Sequence, residues 1–148
     1  MKFSNLSETK VTAQSTAILT FYDMPGEPWL RLRPIGEVNR PYFAAMLAKN
    51  SKNRNRLKAG RMNAETLSFN RKIDRGLIPK HADGAEWGGW LDESGAEVEY
   101  SAEGFAELCA QLEPDQFDEI RVFCGELSNF RDIEDMPDAD DISDTAKN

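Results

Sequence analysis

Two β-strand patterns separated by a turn are the first regular feature of the chain. Residues 16–22 are rich in β-branched and aromatic side chains, and residues 29–33 alternate apolar with basic ones, as a strand with one buried face does. Between them, Pro25 sets the backbone for the first central position of a turn, and Gly26 tolerates the positive φ of the second. The pattern predicts a β-hairpin that ends at Pro34.

Two helices are predicted after this hairpin. Asn39 is a favourable N-cap for a helix that continues to about residue 57. A second helix is predicted over residues 63–75, because an asparagine begins it and Gly76 and Pro79 follow it. Its inward-facing positions fit helical spacing only weakly, and they are Leu67, Asn70, Ile73 and Leu77.

A second hairpin is predicted over residues 87–100. Apolar and aromatic side chains flank the segment 92–95, whose aspartate and glycine are typical turn residues.

The clearest pattern is an amphipathic helix pair in the C-terminal half. Ser101 is expected to cap a helix over residues 102–112, and Pro114 separates it from a last helix capped by Asp115. The expected core-facing positions recur mostly at spacings of three and four. They are Phe105, Leu108, Cys109, Phe117, Ile120, Phe123, Cys124, Leu127 and Phe130.

These elements predict an α+β fold with two β-hairpins and about four helices. Residues 1–14 are polar and are expected to be flexible, and residues 15–130 are expected to form the single domain. Residues 131–148 carry seven acidic and two basic side chains and little that could be buried. Such a composition is typical of a disordered acidic tail.

Composition narrows the class of protein. Of the 148 residues, 40% are hydrophobic and 30% are charged, which is ordinary for a globular protein. No apolar run approaches the ~20 residues that cross a bilayer, and the first ten residues lack the apolar centre of a secretory signal. Two cysteines do not make a disulfide framework. We therefore expect a soluble protein of the cytoplasm.

The charge is distributed unevenly along the chain. The net charge is −8, yet residues 1–81 hold fifteen basic and six acidic side chains, whereas residues 82–148 hold three and twenty. In one interpretation the two halves attract each other within one fold, and in the other each half faces a different partner. We favour the first, because surface charge more often serves solubility than recognition.

A basic segment that covers the end of the first middle helix and the residues after it is the candidate partner-binding site. Its residues are Lys52, Arg54, Arg56, Lys58 and Arg61. With Lys49 they could neutralise phosphates. However, no interleaved aromatic side chains could stack on bases, and the chain as a whole is acidic. We therefore favour a solvated face that pairs with the acidic half over a nucleic-acid site.

No combination of residues predicts an enzyme, a metal site or a cofactor site. His81 is the only histidine, and Cys109 and Cys124 are both expected on apolar helix faces, where a thiol stays protonated and inert. These three residues do not supply a zinc site. Residues 138–141 lack the glycine and the final glutamate of a calcium loop. The three tryptophans are expected to anchor the core.

The segment 87–130 contains a distinctive order of short motifs. They are Trp87-Gly88-Gly89-Trp90, the turn Asp92-Glu93-Ser94-Gly95, the strand end Val98-Glu99-Tyr100-Ser101, the junction Leu112-Glu113-Pro114 and the closing pair Asn129-Phe130. This order resembles the tail assembly chaperones of long-tailed bacteriophages and prophages. Residues 29–34 and 39–42 are similar to the same family, so the resemblance covers about two thirds of the chain. The long acidic tail departs from the family's pattern.

The resemblance implies a non-catalytic factor of the host cytoplasm that is not part of the virion. Such a factor would bind the tape-measure protein, keep its helices soluble and promote polymerisation of the tail-tube protein. The family supplies no catalytic residue to carry over, and no cofactor is expected. Two alternatives stay open. One is a virion structural protein, either a head-decoration or a head–tail connector component, and the other is a nucleic-acid-associated accessory protein that uses the basic segment.

Overall fold

The computed structural model describes residues 1–7, 10–51 and 64–131, and these residues form an α+β fold, as predicted. One apolar core lies between a small sheet and three helices. In chain order the elements are α1 (Ser4–Ser7), β1 (Ala17–Thr20), β2 (Trp29–Leu32), α2 (Arg40–Ser51), α3 (Ala64–His81), β3 (Asp83–Gly88), α4 (Ala102–Gln111), α5 (Pro114–Gly125) and a 3₁₀ helix (Leu127–Phe130).

The first predicted hairpin is confirmed. β1 and β2 pair antiparallel with Ala17 opposite Leu32, and Gly26 in the connection has a φ of 81°, which favours glycine. The alternation within β2 buries Leu30 and Leu32 and leaves Arg31 partly accessible between them. The strand therefore presents one face to the core.

A strand that the pattern did not predict completes the sheet. β3 pairs antiparallel with β2, in the order β1-β2-β3, although its sequence, DGAEWG, has no apolar alternation. Its glycines permit the close pairing, since a Cβ on Gly84 would lie 2.5 Å from the carbonyl oxygen of Arg31. Pairing with a buried neighbour, rather than its own pattern, makes this segment a strand.

The second hairpin is smaller than predicted. The chain does reverse at residues 92–95, where the backbone N–H of Gly95 donates to the carbonyl of Asp92 (2.9 Å). Among the described residues, a single bridge between Leu91 and Glu97 joins the two arms. The segment is therefore a turn with one bridge, not a pair of strands.

Helix α2 begins where it was predicted. The Asn39 side-chain oxygen accepts a hydrogen bond from the backbone N–H of Tyr42 (3.4 Å), so Asn39 is the N-cap. The predicted continuation of this helix beyond residue 51, the Asn63 cap and residues 132–148 of the predicted tail lie outside the described residues.

Helix α3 extends further than predicted, through Gly76 and Pro79 to His81. The proline removes one backbone N–H near the helix end, while Leu77 and Ile78 are buried beside it. Burial of these side chains stabilises the last turn more than the missing hydrogen bond destabilises it. Neither breaker residue ends the helix, because tertiary packing overrides the local preference.

The inward face of α3 also differs from the prediction. Leu67, expected to face inward, is 44% exposed. Thr66 and Asp74 are buried in its place, together with Leu77.

The amphipathic pair α4–α5 is confirmed. Ser101 caps α4, because its hydroxyl oxygen accepts a hydrogen bond from the backbone N–H of Gly104 (2.9 Å). The predicted core positions are filled as expected, except at Leu127, which is only half-buried. Phe105, Cys109, Phe117, Ile120, Cys124 and Phe130 are buried, and Leu108 and Phe123 pack against the core.

The start of α5 needs one correction. The N-cap is Glu113, not Asp115, and Pro114 occupies the first helical position. The Gln116 side-chain oxygen accepts a hydrogen bond from the backbone N–H of Glu113 (3.0 Å). Proline is favoured at this position because it has no N–H to leave unpaired, so the helix begins earlier than the aspartate suggested.

Candidate functional site

The five predicted partner-binding residues, Lys52, Arg54, Arg56, Lys58 and Arg61, all lie outside the described residues. Their neighbour Lys49 is described. It is exposed in the last turn of α2, where a positive charge is favourable. The surface around Lys49 is therefore the described surface that adjoins the predicted site in the sequence.

A groove of about 470 Å³ lies along one side of α3, next to the end of α2. It has an apolar floor and lysines at its rim. Its lining residues are Lys49 of α2 and Phe69, Lys72, Ile73, Gly76, Leu77 and Lys80 of α3. We call this surface the lysine groove.

The spacing of the α3 residues explains the shape of the lysine groove. Phe69, Ile73 and Leu77 recur every fourth residue, so they form one stripe along the helix. Gly76 has no side chain, and a Cβ built on it would meet nothing within 4 Å, which leaves the floor open. The exposed lysines beside this stripe put positive charge along an apolar surface.

A buried polar network joins α2, α3 and α5. The Asp74 carboxylate is only 7% exposed and accepts hydrogen bonds from the Tyr42 hydroxyl (2.7 Å) and from Nε of Arg121 (2.8 Å). A buried charge needs such partners, because leaving it unpaired would cost several kcal/mol (~3–5). The network therefore holds the three helices in one arrangement.

A second carboxylate extends this network to the surface. Asp118 of α5 receives two hydrogen bonds from Arg71 of α3 (3.0 and 2.8 Å) and one from Arg121 (3.0 Å). The hydrogen bond from Arg71 is the main reason that the pKa of Asp118 lies below its usual value. Burial works against the charge of Arg121, but hydrogen bonds to Asp74 and Asp118 outweigh it and raise the pKa of the guanidinium. Both groups are therefore held in their charged forms.

These ion pairs bear on the uneven charge of the chain. Arg71 and Asp118 come from the basic and the acidic half, and so do Arg31 and Glu86, whose side chains meet at 2.7 Å. The pair of Asp74 and Arg121 also joins the two halves, but with the signs reversed.

A small polar cavity lies beside this network. Its volume is about 240 Å³, and Tyr42, Asn50 and Asp74 are among its lining residues. Burial and the neighbouring Asp74 raise the pKa of the Tyr42 hydroxyl, so the phenol stays protonated. A general base needs the opposite shift.

Neither of the two thiols is activated, and the histidine packs against a tyrosine ring. Cys109 and Cys124 are free and buried, as predicted. Burial raises the pKa of the Cys109 thiol to about 12 and also raises that of Cys124. The His81 ring packs edge-on against Tyr42, with ring centroids 6.5 Å apart. Burial, Lys80 and Arg33 lower the pKa of His81. All three groups are therefore neutral at pH 7.

The motifs on which the resemblance rests have structural roles. The Trp87 indole N–H donates to the carbonyl of Val98 (2.9 Å), and the Trp90 indole N–H donates to that of Trp29 (3.0 Å). The Asp92 side chain accepts hydrogen bonds within its own turn, including one from the backbone N–H of Ser94 (2.9 Å). Trp87 and Trp90 pack against the core, as predicted, whereas Trp29 is only half-buried and lies against Gly88.

The lysine groove itself was not predicted. The sequence contains a usable signal, because apolar residues at spacing four lie beside Lys72 and Lys80 and an interrupting Gly76. That signal was hidden by the expectation that Gly76 and Pro79 end the helix.

Neither a membrane span nor a metal-ligand cluster occurs in the part of the chain that the structure describes. No helix there is both long and apolar enough to cross a bilayer. No group of three or more histidine, cysteine, aspartate or glutamate side chains comes together there in a way that could hold a metal ion.

Comparison with known proteins returns no match. No protein-family model fits the chain, and no curated protein or solved structure is similar enough to match it.

Proposed function

We propose that this protein is a non-catalytic tail assembly chaperone that acts in the host cytoplasm, binds the tape-measure protein of a long-tailed phage and promotes polymerisation of the tail tube. The single observation that carries the proposal is the lysine groove, a groove of about 470 Å³ with an apolar floor and lysines at its rim. The order of motifs from Trp87 to Phe130, which resembles that of tail assembly chaperones, supports the proposal.

The lysine groove fits a partner helix of defined chemistry. An amphipathic helix buries its apolar stripe in such a groove, and acidic side chains beside that stripe would meet Lys49, Lys72 and Lys80. These lysines are exposed, so each contact would be weak and sensitive to salt. A chaperone that must release its client needs an interface of this kind.

The proposal is tested by co-expression with helical segments of the cognate tape-measure protein. The wild-type protein should raise the soluble fraction of these segments. The double variant Lys72→Glu/Lys80→Glu should lose this effect, because two of the three rim charges are reversed. The matched control is Lys2→Glu/Lys10→Glu, which changes the net charge equally at exposed positions outside the groove.

Three outcomes would contradict the proposal. If the wild-type protein leaves tape-measure segments insoluble, these segments are not its client. If the groove variant and the control variant have equal effects, the groove is not the binding surface. Stoichiometric recovery of the protein from purified virions would favour the structural alternative.

A further inference from the structure

An acidic face on α5 points away from the core. Asp115, Glu119 and Val122 lie at positions i, i+4 and i+7, on one side of the helix. All three are exposed, and Val122 is 72% exposed although it is apolar. They line a shallow depression of about 430 Å³ together with Leu19 and Phe123. We call this surface the acidic face.

The Glu119 carboxylate of the acidic face lies close to other acidic side chains. Burial, Asp23 and Asp115 together raise the pKa of the Glu119 carboxyl, which places like charges around it. None of the ion pairs within the described ranges involves Asp115 or Glu119. A positively charged partner would relieve this repulsion.

The lysine groove is complementary to the acidic face in charge. The groove has lysines along an apolar floor, whereas the acidic face combines two exposed carboxylates with one exposed valine. Lys72 and Lys80 are separated by about 12 Å along α3, and Asp115 and Val122 by about 10 Å along α5, at 1.5 Å per residue. The two surfaces are therefore of similar length.

One molecule cannot bring its own two surfaces together. α5 is fixed to the side of α3 that carries Arg71 and Asp74, through the ion pairs with Asp118 and Arg121. At 3.6 residues per turn, Arg71 lies about 140° around α3 from Gly76 in the groove floor. The acidic face and the lysine groove therefore belong to different sides of the domain.

We propose that the acidic face of one copy docks into the lysine groove of a second copy of this chain. Val122 packs on the apolar floor of the groove, and Asp115 and Glu119, which both lie on one side of it along α5, meet the rim lysines toward one end of the groove. The contact is heterologous, because it joins two different surfaces, so repeated contacts give rings or open chains rather than a two-fold dimer. A client helix would compete for the same groove, but the inference holds whatever the client is.

The test uses two variants, each of which removes one surface. Asp115→Lys/Glu119→Lys keeps the lysine groove and reverses the acidic face, while Lys72→Glu/Lys80→Glu does the opposite. Matched controls are Glu93→Lys/Glu99→Lys and Lys2→Glu/Lys10→Glu, at exposed positions elsewhere. Circular dichroism checks that each protein is folded, and sedimentation velocity measures association up to about 1 mM protein, where even a millimolar Kd is visible.

The wild-type protein and both controls should self-associate, with a Kd that rises as salt is added. Each surface variant alone should associate at least tenfold more weakly. An equimolar mixture of the two variants should associate again, because the groove of the first binds the acidic face of the second and the reversed charges at the other contact are also opposite in sign. This complementation distinguishes lost contacts from lost folding.

A monomeric wild-type protein at about 1 mM would overturn the inference, as would salt-independent association or a mixture that fails to complement. The inference and the proposed function can fail separately. Lysine variants that lose tape-measure binding but keep self-association would assign the groove to the client alone. Variants that lose self-association but keep client binding would contradict the groove as the client site and leave the inference intact.

Discussion

The helix pair α4–α5 and the helix α3 are held in the fold by different kinds of side chain. The buried residues of α4 and α5 are phenylalanines, an isoleucine and two cysteines. α3 buries Thr66 and Asp74 beside Leu77 and Ile78 and leaves Leu67 exposed. A helix with one apolar stripe packs against the core on one side. In contrast, α3 contacts α2, α4, α5 and β3, which lie in several directions around it.

The difference lies in how much each kind of contact depends on direction. Apolar burial depends on area and tolerates small rotations. The Asp74 network depends on atoms placed at hydrogen-bond distance on three helices. Such a network stabilises one arrangement of helices rather than merely a compact one.

The largest expected effect on stability is that of a substitution in the apolar core. Replacing Phe117, which is fully buried and lies under the Arg75 guanidinium at 4.9 Å, with Ala should lower the free energy of unfolding by ~3–5 kcal/mol. Urea denaturation measures this change. Val122→Ala in the same helix is the control and should change it by no more than ~0.5 kcal/mol. A loss below ~1 kcal/mol for Phe117→Ala would mean that the site can collapse around the cavity.

A smaller effect on stability is expected from a substitution in the buried polar network. Asp74→Asn keeps the shape of the side chain but removes the charge that pairs with Arg121, so the free energy of unfolding should fall by ~1–3 kcal/mol. The control is Glu86→Gln, which breaks the exposed pair with Arg31 and should cost at most ~1 kcal/mol. Equal losses in the two variants, measured by urea denaturation, would contradict a special role for the buried network.

The smallest effect separates folding from binding within α3. Gly76 has an ordinary helical position, with open space where a Cβ would lie. Gly76→Ala should therefore raise the free energy of unfolding by ~0.5–1 kcal/mol. The added methyl enters the lysine groove and should weaken both client binding and self-association. Gly95→Ala is the control, and it should destabilise because Gly95 has a φ of 87°. A destabilised Gly76→Ala protein would show that the helix needs glycine there.

Local sequence was a good guide where the side chain itself decides the structure. The turn at Gly26, the caps Asn39 and Ser101, and the apolar stripes of α4 and α5 each follow from a residue's own conformational or solvation preference. It was a poor guide at β3, which becomes a strand because β2 offers it hydrogen bonds. It was equally poor at Pro79, which stays helical because the residues around it are buried.

What the sequence by itself determined is the α+β class, the first hairpin and the burial of Phe105, Cys109, Phe117, Ile120 and Cys124. Periodicity encodes these features, since a residue's distance along the helix or strand sets the face on which it lies. Only the tertiary structure decided the third strand, the full length of α3 and the Asp74 network. Each of these depends on groups that are distant in sequence and meet only after packing, as Tyr42, Asp74 and Arg121 do, so no local pattern records them.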